Sequence, residues 1–390
     1  MSHMMPNSFL PEFGYATPLD DLRPGPLYED ERPTRRDRPL GEILGLVDLT
    51  RLITDGRGEE VRALDEVSLS IRRGEILGLV GPGGGGTTTL LRSLNLLERP
   101  TAGEILYEGE VVQDRTGERL ATLRRKIGMV FREYNLLSSR RLFDNVALPM
   151  RLAGRRAWEI ANRVPVLLEL VGLGDKRDAF PDQLSCDEKR RLGIARALAL
   201  QPEILLCEEP TSFLAPDAAH RVLELLKEVN RQTGATIVLT TDDMSVIRAI
   251  CDRLAVMEAG RIVEEGPVWE SFAHPRMPLT RRRLHGLLPE LPPFIRARIR
   301  PEPEGPSDAI LRLKFGGTSA YDPIIAEFAR EADAVFSVIH GAIDYIQEQP
   351  LGVLFLSLQA KGPEHLRSQI VYLRSRVLDV EVIGYVPRSA

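Results

Sequence analysis

The sequence is short of several things, and each shortage excludes something. It has three cysteines in 390 residues, Cys186, Cys207 and Cys251, and no two of them form a CxxC pair. That spacing argues against a disulfide framework and against a zinc site, and it fits a reducing compartment. No apolar run approaches the roughly 20 residues needed to span a bilayer, so a membrane role has to come through a partner. Positive charge is not in excess: 51 Lys and Arg against 56 Asp and Glu leave a formal net charge of −5 and no reason to expect nucleic acid as a partner. The first residues, "MSHMMPNSFLPEFG", lack a basic segment followed by an apolar one, so an export signal is not expected.

What is present is an ordinary globular balance, 43% hydrophobic and 27% charged, on a chain long enough for two or three domains. Residues 1–40 are rich in Pro, Asp and Arg without periodicity and read as a disordered arm. Over residues 41–275 short β-rich runs alternate with helical stretches, the pattern of a parallel sheet with helices around it. Buried strands are expected at "GEILGLVG", "PEILLCEEP" and "GATIVLTTDD". Residues 276–308 carry repeated proline and read as a linker, with "TRRRLHG" a solvated stretch inside it. Residues 309–390 then run strand, helix, strand, strand, helix, strand, the order of a small α+β ferredoxin-like domain.

The segment "GPGGGGTTTLL" follows the first of those buried strands and opens a helix. It fits the phosphate-loop pattern G-x-x-x-x-G-K-[ST] at Gly81, Gly86 and Thr88, but the lysine position holds Thr87. A strand, a glycine turn and a helix start form an anion site because successive backbone N–H groups converge and the helix dipole adds positive potential. Gly83, Gly84, Gly85 and Gly86 leave the backbone free to wrap a phosphate, Thr87 and Thr89 flank the helix start, and Thr88 is placed to ligate magnesium. Thr87 supplies a hydroxyl and no charge. From the loop alone two readings stand side by side, a nucleotide site and a glycine turn with no ligand.

The order of segments changes the balance between them. "LRSLNLLERPTAGEILYEG", "RRKIGMVF", "YNLLSSRRLFDNVALPM", "LLELVGLGDK", "IARALALQPEILLCEEPTS" and "ICDRLAVMEAGRIVEEG" closely resemble the ATP-binding subunit of ABC transporters, nearest its methionine-importer subfamily. The tail resembles that subfamily's methionine-sensing NIL domain. The resemblance runs over residues 44–387 and implies a P-loop NTPase cassette with a helical subdomain, an α/β fold, followed by the ferredoxin-like domain. It implies ATP and Mg2+ as cofactors and ABC permease subunits as partners. It also implies pairing of two cassettes, as a homodimer or with a paralogous ATPase subunit, and methionine as a ligand of the tail. The location it implies is the cytoplasmic face of the plasma membrane, held there by the permease.

The same resemblance marks where the chemistry departs from the family. Thr87 replaces the loop lysine. Arg132 stands where a glutamine contacts magnesium and the attacking water. The signature LSGGQ survives as Leu184 and Ser185, followed by Cys186, Asp187 and Glu188. Glu208 replaces the strand-end Asp of the magnesium shell, Glu209 keeps the general-base position, and Ala215 replaces the Asp of the next loop. Asp242 takes the place of the switch histidine, and the adenine-stacking position falls near Ile53.

An aspartate at 187 is expected to crowd and repel a triphosphate, Asp242 to add a second anion, and Arg132 to repel magnesium while partly replacing the lysine's charge. The extra methylene of Glu208 displaces its carboxylate from the metal shell. Phosphoryl transfer depends on positioning and charge, so such losses compound. Cys207 reads as a small buried hydrophobe, Cys186 as an inert thiol and His340 as structural. The sequence therefore leaves three readings: a docking or regulatory pseudo-ATPase, a slow but working importer ATPase, and a stand-alone amino-acid sensor or scaffold.

Overall fold

The computed structural model describes residues 41–388 except 55 and 57, so the arm at 1–40 lies outside the described residues. The first sheet is built from β1 (Glu42–Thr54), β2 (Glu60–Arg72), β4 (Ala102–Tyr107) and β5 (Glu110–Val111), in the order β2-β1-β4-β5. The second sheet holds the centre of the molecule. Its strands are β3 (Ile76–Val80), β6 (Ile127–Val130), β7 (Ile204–Glu208), β8 (Thr236–Thr241), β9 (Arg253–Glu258) and β10 (Arg261–Pro267), in the order β10-β9-β3-β8-β7-β6. From β9 to β6 every neighbouring pair is parallel, and β10 is antiparallel to β9. The sequences ILGLV, ILLCE and TIVLTT of β3, β7 and β8 are buried at every position. That is why they read as continuous apolar runs: a parallel strand is covered on both faces.

Helices supply those covers: α1 (Thr87–Ser93), α2 (Gly117–Arg125), α3 (Leu142–Leu152), α4 (Ala157–Leu170), α5 (Cys186–Ala197), α6 (Pro216–Thr233), α7 (Met244–Ile250) and α8 (Val268–Ala273). The signals of α6 are plain. Pro216 opens it, Asp217 and Arg231 complement its dipole, and Gly234 ends it at φ 64°. The proline-rich stretch after α8 is more structured than its composition predicts. It contains α9 (Pro278–Leu284) and α10 (Pro293–Arg296), and buries Leu279, Thr280, Leu284 and Leu291. Each of its two helices has proline in its first turn, where the missing N–H costs nothing.

The tail runs β11 (Ser307–Gly316), α11 (Ile324–Glu331), β12 (Val335–Ile346), β13 (Gln349–Gln359), α12 (Pro363–Arg374) and β14 (Asp379–Pro387). Its antiparallel sheet has the order β12-β13-β11-β14, the ferredoxin-like arrangement expected. One face packs on α11 and α12 through Leu311, Leu313, Phe328, Leu356 and Leu373. The other face carries Ile310, Val353 and Phe355 against Leu291 of the proline-rich stretch. His340 stacks on Phe355 with ring centroids 6.4 Å apart, in keeping with a structural role. Ile346 and Leu351 leave the tail's own core and join the one built on α3 to α8.

Candidate nucleotide site

In a parallel sheet, ligands bind beyond the carboxyl ends of the strands. The order β3-β8-β7-β6 sets four such ends side by side. They carry the glycine loop (β3), Asp242 (β8), Glu208 and Glu209 (β7), and Arg132 (β6).

The glycine loop closes as its sequence suggests. Gly84 and Gly86 have φ 81° and 99°, conformations that side chains with a Cβ rarely adopt. A Cβ on Gly86 would also lie 2.5 Å from the Ala63 carbonyl, so this position admits only glycine. The Gly85 N–H donates to the Pro82 carbonyl at 2.8 Å, and the Leu90 N–H to the Gly86 carbonyl at 2.8 Å, which starts α1. Gly81 and Gly85 are buried, Gly83 and Gly84 are exposed at the mouth, and Thr87, Thr88 and Thr89 are half-buried in the first turn of α1.

The strand-end carboxylates meet cations of the same chain. Arg92 of α1 donates through one nitrogen to both oxygens of Glu208, at 2.9 and 3.2 Å. Glu208 is buried at 4% exposure, so this guanidinium is its counter-charge. Glu209 follows with φ 42°, a strained geometry for a residue with a side chain. Its Oε1 accepts from Arg132 at 3.1 Å, and the Arg132 guanidinium lies 5.1 Å from the centre of the Phe213 ring. Arg132 thus pairs with Glu209 across the strand ends.

The helix carrying the signature is self-capped. Ser185 is the N-cap of α5 and forms a capping box with Glu188. Its hydroxyl lies 2.7 Å from Asp187 Oδ1 and 3.1 Å from Glu188 Oε2, so one proton serves two carboxylates. The Ser185 N–H donates to Glu188 Oε2 at 3.0 Å, and Lys176 pairs with Glu188 at 2.6 Å. Asp187 Oδ2 sits 3.4 Å from both Arg191 and Arg221. The Ser185 hydroxyl, with Arg221 and Arg191 behind it, holds the Asp187 carboxyl below its ordinary range despite partial burial. Asp187 is therefore an anion matched by cations of the same chain. Arg190 of the same helix is fully buried and donates to the Phe131 carbonyl at 2.7 Å, fastening α5 to the loop that bears Arg132.

Asp242 stands apart with its side chain 77% exposed and Arg283 of α9 3.9 Å away. Arg283 also donates to the Asp242 carbonyl at 3.1 Å. Cys186 is exposed, while Cys207 and Cys251 are buried. Burial pushes the Cys207 thiol up to about 12, so it packs as an apolar residue.

The glycine loop, with left-handed Gly84 and Gly86 leading into α1, has the backbone of a phosphate-binding turn. In the oxygen set implied for Mg2+, Thr88 is half-buried at the start of α1, and the Glu208 carboxylate is held on both oxygens by Arg92. Sequence reasoning missed the arginines that create this state. Arg92, Arg191, Arg221 and Arg283 carry no motif, and their partners lie 116, 4, 34 and 41 positions away. The capping box S-x-x-E at 185–188 was the one readable signal.

Comparison with known proteins gives this geometry its class. A family profile for ABC transporters matches residues 64–212, and one for the NIL domain matches residues 309–382. The dimeric ATP-binding cassette solved in a post-hydrolysis state with ADP and Pi is 31% identical at a TM-score of 0.54, covering 58% of this chain and 99% of that one. The cbiO1 protein of Clostridium perfringens, part of an ABC transporter complex, is 28% identical at 0.54, covering 62% and 94%. The fold is that of an ABC-type ATP-binding cassette.

Within that class the chain belongs to the family of methionine import ATP-binding proteins. It is 46% identical to MetN of Mesorhizobium japonicum over 88% of this chain and 93% of the relative. It is 46% identical to MetN 2 of Rhodopseudomonas palustris over 89% and 92%, and 43% identical to MetN of Brucella abortus over 92% and 95%.

Proposed function

We propose that this chain is the ATP-binding-cassette subunit of a methionine-type importer, in which it docks and regulates but hydrolyses little or no ATP. The observation that carries the reading is the pairing of both strand-end carboxylates with arginines of the same chain, Glu208 with Arg92 and Glu209 with Arg132. A carboxylate bound to a guanidinium is a poor magnesium ligand and a poor proton acceptor, because its charge is already matched. Together with Thr87 in place of the loop lysine, this leaves a phosphate cradle without its metal or its base.

In this reading residues 41–275 form the cassette, 276–308 connect it, and 309–390 form the regulatory domain. ATP would lie with its phosphates on Gly83 to Thr89; when bound with Mg2+ in the family, it supplies the energy of import. Ser185 and Asp187 face the second cassette of a pair, either another copy or a paralogous ATPase subunit. Leu152 and Trp158, exposed on α3 and α4, offer the apolar surface a permease subunit needs, and peripheral attachment to the membrane follows from that contact. Among the described residues no helix is long and apolar enough to cross a membrane. Methionine is the ligand proposed for the tail.

Titration with a fluorescent ATP analogue, with and without magnesium, tests the site. Weak binding that magnesium does not strengthen is expected, and Thr87→Lys is expected to tighten it about tenfold or more by restoring one charge at the phosphates. Tight, magnesium-dependent binding by the unaltered chain would favour the second reading, a slow working ATPase, for which the retained Glu209 speaks.

A further inference from the structure

The turn between β12 and β13 has an unusual backbone. Ile346 pairs with Gln349, so the loop is two residues, Gln347 and Glu348, and both are left-handed at φ 52° and 65°. Such turns are normally filled by Asn-Gly, because two side-chain-bearing residues in this region are strained. The turn is seated on the cassette. The Gln347 side-chain amide donates to the Cys251 carbonyl at 2.7 Å and to the Asp252 carbonyl at 3.1 Å. Asp344, three residues earlier, pairs with Arg248 of α7. On the far side of the turn, the Trp269 indole of α8 donates to the Pro350 carbonyl at 3.4 Å.

The point that Gln347 touches joins the far ends of two elements that lead to the nucleotide site, the last turn of α7 and the start of β3. Cys251 is the C-cap of α7, a position whose carbonyl has no partner within the helix. The N-cap at the other end of α7 is Asp243, next to the switch position Asp242. Asp252 in turn brackets the start of β3. Its N–H donates to the Ile76 carbonyl at 2.8 Å, and its carboxylate accepts from the Ile76 N–H at 2.8 Å. β3 runs directly into the glycine loop. α7 lies so close to β3 that a Cβ on Gly78 would meet Ile247 at 2.2 Å and Cys251 Sγ at 3.0 Å.

We infer that Gln347 is a positioning residue: from the tail it caps the last turn of α7, and so it sets the helix that begins beside the switch position Asp242 and the start of the strand that leads into the glycine loop. A change in the tail that withdraws the turn uncaps α7 and loosens both. The inference rests on the cassette reading only for the name of the switch position; the coupling itself needs neither nucleotide nor permease.

Hydrogen–deuterium exchange of the full chain tests it, reading amides 242–252 against β7 as an internal standard. Gln347→Ala is expected to speed exchange in 242–252 about fivefold, the effect of one lost hydrogen bond, and to leave β7 unchanged. Gln347→Gly relaxes the turn while removing the amide and is expected to speed exchange equally. Gln347→Lys keeps a donor at the carbonyls and is expected to stay near the unaltered chain. Unchanged exchange in Gln347→Ala would overturn the inference. So would Gln347→Gly behaving as the unaltered chain, because the effect would then be turn strain alone. A rise in Gln347→Lys equal to that in Gln347→Ala would overturn it as well, because the donor would then not matter.

Discussion

Asp187 illustrates what a single residue's surroundings do to a reading made from its type. In the signature position an aspartate looks like a charge set against a phosphate, yet here Ser185, Arg221 and Arg191 surround it. Its carboxyl titrates below the ordinary value in the folded chain, so the folded state binds the proton more weakly than the unfolded state does. The resulting stability is fully present above the ordinary carboxylate range and is lost as pH falls through the lowered folded value. Asp187→Asn is expected to cost about 1 kcal/mol near neutral pH, and to cost less as pH falls below that range. Urea unfolding at a series of pH values checks this; a cost that does not change with pH would show that the charge is not what Asp187 contributes.

Helix α5 and the central strands show what could be read at the level of elements. The strands were legible because burial on both faces leaves an apolar run, and the tail's order was legible because its elements alternate cleanly. The helix opened by the glycine loop stops at Ser93, since the residues after it turn to hydrogen-bond the last carbonyls, as Leu97 N–H does with the Arg92 carbonyl at 3.0 Å. The helices inside residues 276–308 were hidden by proline, which suits a first turn as well as a loop. The ion pairs of the site were not legible, because only the sheet order brings Arg92 to Glu208 and Arg132 to Glu209. On α5, Ser185→Ala removes the cap hydroxyl from Glu188 and Asp187 and is expected to destabilise the chain by about 1 kcal/mol. Thermal unfolding followed by circular dichroism measures it, and an unchanged midpoint would mean the capping box contributes nothing.

At the scale of the whole molecule, the tail and the cassette share a core. Ile346 and Leu351 of the tail pack among cassette residues, and the Lys314 ammonium, buried at 8% exposure, donates to the Ala273 carbonyl at 2.6 Å. Burial lowers the Lys314 pKa, as expected for an ammonium removed from water. Domains that share a buried apolar interface unfold as one unit when that interface is large, and separately when it is weak. Calorimetry of the full chain is therefore expected to give one transition; two well-separated transitions would mean that the shared core is too weak to couple them.

This cassette keeps a nucleotide-shaped loop while Glu208 and Glu209 are bound to its own arginines. Phosphate release by the purified full chain, with saturating ATP and magnesium, reads the consequence when the chain is compared with Glu209→Gln. The two proteins are expected to release phosphate at the same low background rate, since Glu209 is engaged by Arg132. Magnesium-dependent turnover well above background that Glu209→Gln abolishes would contradict it.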